Sequence, residues 1–145
     1  MKREVIVNII ALTIFLVLLH IGISKLFNLH RYRVEIFFSP QLRPFRATLS
    51  ILIPIVELIT GLLIIAKRTR IIGFYVALTL FSLYIAGMFT LSYYVPNPRG
   101  GIFNHSSYNE LLTCNIILFS LSLTGILLKT YKRNSSLILT RKEPV

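Results

Sequence analysis

The chain has 145 residues, room for one domain, and 54% of them are hydrophobic at a mean hydropathy of +0.73. A soluble domain carries about 45–50% apolar residues, so the lipid bilayer is the expected solvent. The formal charge of +11 invites a nucleic-acid reading, but the Lys and Arg residues stand at the ends of apolar blocks, as membrane anchors do, which argues against nucleic acid and for lipid headgroups.

The N-terminus reads Met1-Lys2-Arg3-Glu4 and then an apolar run as far as Ile23. A secretory signal has this charge layout, but its apolar core is about 7–15 residues long and closes on small residues. Here the run is longer and ends at Ser24-Lys25-Leu26, so residues 5–23 read as a retained span, with His20 near its outer end. The next segment, 24–46, is polar and basic. Within it Leu26, Phe27, Val34, Phe37 and Phe38 fall on one helical face and Asn28, Arg31 and Glu35 on the other, the pattern of a short helix lying in the membrane interface. Ser39-Pro40 and Arg43-Pro44 end it, because the residue before a proline avoids helical dihedrals.

Residues 47–66 form the second span, which holds the one acid placed deep in an apolar block, Glu57. A carboxylate at that depth costs about 2.5–3.5 kcal/mol on insertion scales. It must be protonated or paired with a donor on another helix, either as a helix–helix hydrogen-bonding group or as part of a site. Pro54, one turn earlier, has no N–H and deprives the Ser50 carbonyl of its helical partner, so a kink is expected there. The tight basic hairpin Lys67-Arg68-Thr69-Arg70 makes span two and span three (71–95) antiparallel neighbours. Tyr84, in the middle of span three, could donate to Glu57 if the two helices face each other.

The turn Tyr94-Val95-Pro96-Asn97-Pro98-Arg99-Gly100-Gly101 opens a second outer segment, 96–110. Span four covers 111–128 and holds Cys114, the chain's one cysteine, and Asn115, able to donate and accept across helices. Cys114 is a small apolar filler or a reactive thiol. Residues 131–145 are a basic tail expected to be flexible, outside a transmembrane domain of residues 1–130. The fold expected is therefore all-α: an integral membrane four-helix bundle with a short interfacial helix in its first outer loop.

Ten basic residues flank one side of these spans (Lys2, Arg3, Lys67, Arg68, Arg70, Lys129, Lys132, Arg133, Arg141 and Lys142) and six the other (Lys25, Arg31, Arg33, Arg43, Arg46 and Arg99). That imbalance favours both termini in the cytoplasm. No paired carboxylate, metal-ligand spacing, nucleophile elbow or phosphate loop is present, so no catalytic residue, metal or cofactor is assigned.

The order of the remaining features is more specific. Gly22-Ile23-Ser24-Lys25-Leu26, Phe37-Phe38-Ser39-Pro40, Pro54-Ile55-Val56-Glu57-Leu58 and Arg68-Thr69-Arg70-Ile71-Ile72-Gly73 follow one another. Tyr84-Ile85, Tyr94-Val95-Pro96, Gly100-Gly101-Ile102 and Asn115 come after. This series resembles the small four-helix membrane proteins of the MauE/DoxX type, from about Val5 to Leu128. In that family the outer loop usually reads Pro-Cys-x-Cys-Gly-Gly. Its cysteine pair is taken to exchange thiols outside the membrane, in MauE for maturation of the disulfide-rich small subunit of methylamine dehydrogenase. The bundle is also likened to quinone-linked disulfide-forming enzymes.

Here Asn97 and Arg99 stand where that alignment places the cysteines, and neither can form a thiolate. The family's following Trp-x-x-His pattern falls at Tyr108 and Leu111, with His105 nearby but out of register. The resemblance thus implies an inner-membrane protein that has lost the redox pair. It would serve as an accessory or assembly partner for envelope thiol-redox or protein maturation, of the methylamine-utilisation type. Pro96, Asn97, Arg99, Gly100 and Gly101 would contact an envelope or membrane protein, while Pro54, Glu57, Tyr84 and Asn115 hold the bundle. A residual thiol oxidoreductase using Cys114, and a lipid or small-molecule transport module built around Glu57 and the Pro54 kink, are the alternatives.

Overall fold

The computed structural model describes the backbone of residues 2–37, 42–94 and 108–140, and the side chains of 4–34, 36, 42–90 and 109–130. The expected outer turn with Pro96, Asn97, Arg99, Gly100 and Gly101 lies outside the described residues. Each apolar block forms one long helix. Hydrocarbon offers a backbone no hydrogen-bond partners, and a helix satisfies every N–H and C=O within its own segment. The helices are α1 (Lys2–Phe27), α2 (Leu29–Phe37), α3 (Arg46–Ile65), α4 (Arg70–Tyr94) and α5 (Tyr108–Thr140), with a 3-10 turn, Arg43–Phe45, ahead of α3. Four of them are long and apolar enough to cross a membrane: α1, α3, α4 and α5. No strand occurs among the described residues.

α1 packs on α3 and α5, and α4 packs on the same two helices, so α1 and α4 stand on one diagonal of a four-helix ring. The core is a stripe at helical spacing on each. Val7, Ile10, Ala11, Ile14 and Leu18 of α1 meet Phe74, Ala77 and Phe81 of α4, Ile64 of α3, and Leu118 and Ile126 of α5. Glycines bring the helices together where a methyl group would collide. A Cβ on Gly73 would lie 2.7 Å from the Ile64 backbone nitrogen, and one on Gly125 would lie 2.8 Å from the Phe74 ring.

α3 is built inside out. Its buried face carries Ser50, Pro54, Glu57, Thr60, Gly61 and Ile64, whereas Ile51, Leu52, Ile55, Ile59, Leu62 and Ile65 face outward. A surface of that kind suits a lipid solvent, in which small and polar residues belong at helix–helix contacts. Scattered hydroxyls are disarmed locally: Thr13, Thr60, Thr79, Ser82, Thr113 and Ser122 each donate to the carbonyl four residues back.

One expectation changes. α1 continues past Ile23 to Phe27, so Ser24 and Lys25 belong to the helix rather than to a loop. The chain turns at Asn28, whose amide donates to the Ser24 carbonyl at 3.2 Å, and α2 starts at once. α2 is the expected short helix, and it rests on α3. Among its described side chains Ile36 is buried, while Val34, and Leu26 and Phe27 at the end of α1, are exposed.

Candidate functional site

Gly22 sets the site. A Cβ there would lie 3.1 Å from the Leu58 side chain and 3.3 Å from the Pro54 carbonyl oxygen, so α1 and α3 approach closely at this level. One turn later on α1, Lys25 turns into the bundle and is buried at 5% exposure, and Glu57 on α3 is fully buried. The Lys25 ammonium donates to Glu57 Oε1 and forms an ion pair with it. Tyr84 of α4 closes the cluster: its hydroxyl donates to the same Oε1 and lies 3.1 Å from Lys25 Nζ, from which it accepts. The ammonium also stands 4.7 Å from the centre of the Tyr84 ring and 5.1 Å from that of Tyr32 on α2.

Elementary electrostatics explains the grouping. An isolated charge in a low-dielectric interior carries a desolvation penalty of several kcal/mol, which a well-made opposite-charge pair with further hydrogen bonds can offset. Lys25 and Glu57 cancel each other, and the phenol supplies one more donor. Two aromatic faces flank the cation, which favours it further. Glu57 Oε2 is buried without a hydrogen-bond partner, so the carboxylate is held through one oxygen. The cluster joins three helices and the short α2; Lys25 and Glu57 are buried, and Tyr84 and Tyr32 are half-buried over them. Its chemistry is that of a closed charge lock.

At the opposite, hairpin end a second buried cation appears. Arg70, at 8% exposure, donates from Nε to the Ile64 carbonyl at 3.0 Å and from Nη2 to that of Ile65 at 3.3 Å. Its Nη1 donates to Asn8 Oδ1 at 2.5 Å, tying α1 to the α3–α4 hairpin. Thr69 Oγ1 caps the Leu63 carbonyl at 3.1 Å.

Glu57, Pro54 and Tyr84 are therefore brought together. His20 lies on the exposed side of α1. Asn115 bonds both within its helix and across to α4: its amide donates to the Leu111 carbonyl at 3.0 Å and to the Met88 sulfur at 3.6 Å. Cys114 is exposed. It lines an open groove of about 550 Å³ between α1 and α5, with Thr13, Val17 and Ile117 among its walls, and that groove touches none of Lys25, Glu57 or Tyr84.

Lys25 is the residue that sequence reasoning missed. A lysine at the end of an apolar run reads as an anchor that snorkels to water. A usable signal existed: Leu18, Gly22 and Lys25 extend the buried stripe of α1 at spacings of four and three residues.

Among families of known proteins, the model of one described as Methylamine utilisation protein MauE matches residues 3–128. No curated protein and no solved structure matches the chain.

Proposed function

The chain belongs to the MauE family, and on that premise we propose that it is an accessory or assembly partner in the bacterial envelope, serving thiol-redox or protein maturation without cycling a disulfide itself. It sits in the inner membrane as a multi-pass protein with both termini in the cytoplasm. The observation that carries this reading is the single cysteine. Disulfide exchange on one chain needs an attacking thiolate and a resolving thiol. Asn97 and Arg99 occupy the places expected for that pair. Cys114, on the exposed side of α5 within the apolar span, has no second cysteine on this chain to pair with.

The turn with Pro96, Asn97, Arg99, Gly100 and Gly101 is the contact surface in this reading. A guanidinium there suits a carboxylate or phosphate on the partner, since its planar fork binds either through two hydrogen bonds. The Lys25–Glu57–Tyr84 lock supports the same reading, because it ties together α1, α3 and α4, the helices from which the outer segments depart.

Cross-linking of the tagged chain in intact cells, followed by partner recovery, tests the proposal. Arg99→Ala should reduce recovery of the partner while the purified variant keeps its helical circular dichroism. Cys114→Ser should leave recovery and the cellular phenotype unchanged. A trapped mixed disulfide at Cys114, or loss of function in Cys114→Ser, would overturn the reading in favour of thiol chemistry.

A further inference from the structure

The buried face of α3 carries more acceptors than donors. Ser50, Pro54, Glu57 and Thr60 follow one another along it at spacings of four, three and three residues, and all are buried. The hydroxyl protons of this face are already given away. Ser50 Oγ donates to the Ala47 carbonyl at 2.8 Å, and Thr60 Oγ1 to the Val56 carbonyl at 2.6 Å. Tyr84 gives its one proton to Glu57 Oε1, and the Lys25 ammonium is turned to that same oxygen and to the phenol. Two acceptors remain. Glu57 Oε2 is buried with no hydrogen-bond partner. The Ser50 carbonyl loses its helical donor to Pro54, which has no N–H.

Both acceptors belong to one stretch of the helix. Residues 50 and 57 are close to two full turns apart, so they stand on the same side of α3. Side chains lean toward the N-terminus of their helix, so the Glu57 carboxylate leans back along that side toward Pro54 and the Ser50 carbonyl. Buried polar groups are matched by protein or by ordered water, because an unmatched one keeps its full desolvation penalty. In membrane helices, ordered water is also one of the means by which a carbonyl freed by proline is satisfied. Burial sets the size of the guest. Ser50, Pro54 and Glu57 are fully buried, and the open groove beside α5 does not touch them. A water is small enough for such a place and brings one proton for each acceptor.

We propose that a single buried water sits against the Lys25–Glu57–Tyr84 cluster, donating one proton to Glu57 Oε2 and the other to the Ser50 carbonyl. It completes the bonding of the carboxylate and bridges the gap that Pro54 leaves in the α3 ladder, so the charge lock is a hydrated one. The site does not depend on the accessory role or on which side of the membrane the cluster faces.

Infrared spectra of the full chain in lipid nanodiscs, recorded in ordinary water and in water of the heavy oxygen isotope, test this. The O–H stretches of a bound water shift with the isotope, whereas those of Tyr, Ser and Thr hydroxyls do not. The wild type should show two such stretches, the lower in frequency from the proton given to the carboxylate. Pro54→Ala returns an N–H to the Ser50 carbonyl and keeps Lys25, Glu57 and Tyr84. It should move the higher stretch further up, as that bond is lost, and leave the lower one in place. Glu57→Leu with Lys25→Met should remove both, and Pro54→Ala decides the matter if that double variant does not fold. Cys114→Ala, in the groove away from the cluster, should change neither. Isotope-sensitive spectra that are the same in the wild type and Pro54→Ala would overturn the proposal, as would the Pro54→Ala change appearing in Cys114→Ala. A crystal structure from a lipidic mesophase with a protein donor on Glu57 Oε2 would do the same.

Discussion

Lys25 and Arg70 are both basic side chains buried between helices, and the two ends of the bundle neutralise them differently. Arg70 is held mainly by what lies close in sequence, with one long-range bond to Asn8, 62 residues away. Its acceptors at Ile64 and Ile65 are carbonyls of the last turn of α3, six and five residues away. Such carbonyls lack helical partners and form the negative end of the helix dipole, so any cation placed after a tight hairpin can find them. Lys25 is held by what lies far away. Glu57 is 32 residues distant and Tyr84 is 59, and neither is near until α1, α3 and α4 have assembled. The hairpin end therefore shows how a local turn closes itself. The other end shows how three helices choose one register. A shifted register would leave a lysine and a glutamate unpaired in hydrocarbon, and that penalty is large enough to exclude it.

The sharpest way to break this comparison is to remove one half of the distant pair. Glu57→Leu should lower stability by about 3–5 kcal/mol, because it leaves a buried ammonium without its counter-charge. Reversible unfolding in mixed micelles, followed by circular dichroism, measures it. Adding Lys25→Met should recover most of the loss, since a well-packed apolar pair is close to neutral in place of a buried ion pair. If the double variant is no better than the single one, the ion pair is not what holds the helices.

Arg70→Ala should cost about 2–3 kcal/mol, from the loss of charge-assisted bonds to two carbonyls and Asn8. Its signature should be local. Amide hydrogen exchange should quicken around Thr69 to Gly73, where the Glu57 variant should instead loosen α1, α3 and α4 together. Equal spread in both variants would dissolve the distinction between the two ends. Tyr84→Phe is the mildest change, at about 1.5 kcal/mol, because it removes one hydrogen bond to a charged group and keeps the ring over the ammonium. A loss as large as that of Glu57→Leu would mean that the phenol, and not the lysine, is the principal partner of the carboxylate.

Much of the architecture was legible in the residues alone. The four apolar blocks read as spans, and the amphipathic stretch after the first read as a short helix, because both patterns are periodic and local. Glu57 stood out as the acid in an apolar run, and Tyr84 as its possible donor. The Asn115 amide does reach across helices, to the Met88 sulfur of α4, but its shorter bond turns back onto the Leu111 carbonyl. A side-chain amide in a helix always has such a carbonyl within reach, whereas a partner on another helix has to arrive at the right height. The inward turn of Lys25 is hard to see in its own segment, because a cation at the end of an apolar run looks the same whether it snorkels outward or turns inward.

The sequence by itself determined that this chain is a set of long apolar helices, since in lipid each helix must satisfy its own backbone, and segment length and hydrophobicity are enough to say where that happens. Its single cysteine likewise rules out a dithiol couple on this chain. Only the tertiary structure decided that Lys25 faces inward, that Glu57 takes both its ammonium and the Tyr84 hydroxyl on one oxygen, and that Arg33 docks on Ser50 beside Arg46. Those choices depend on how each helix is rotated about its axis and on the height at which it meets its neighbours. Close approaches at Gly22, Gly73 and Gly125 set both, and composition and periodicity of a single segment do not contain them.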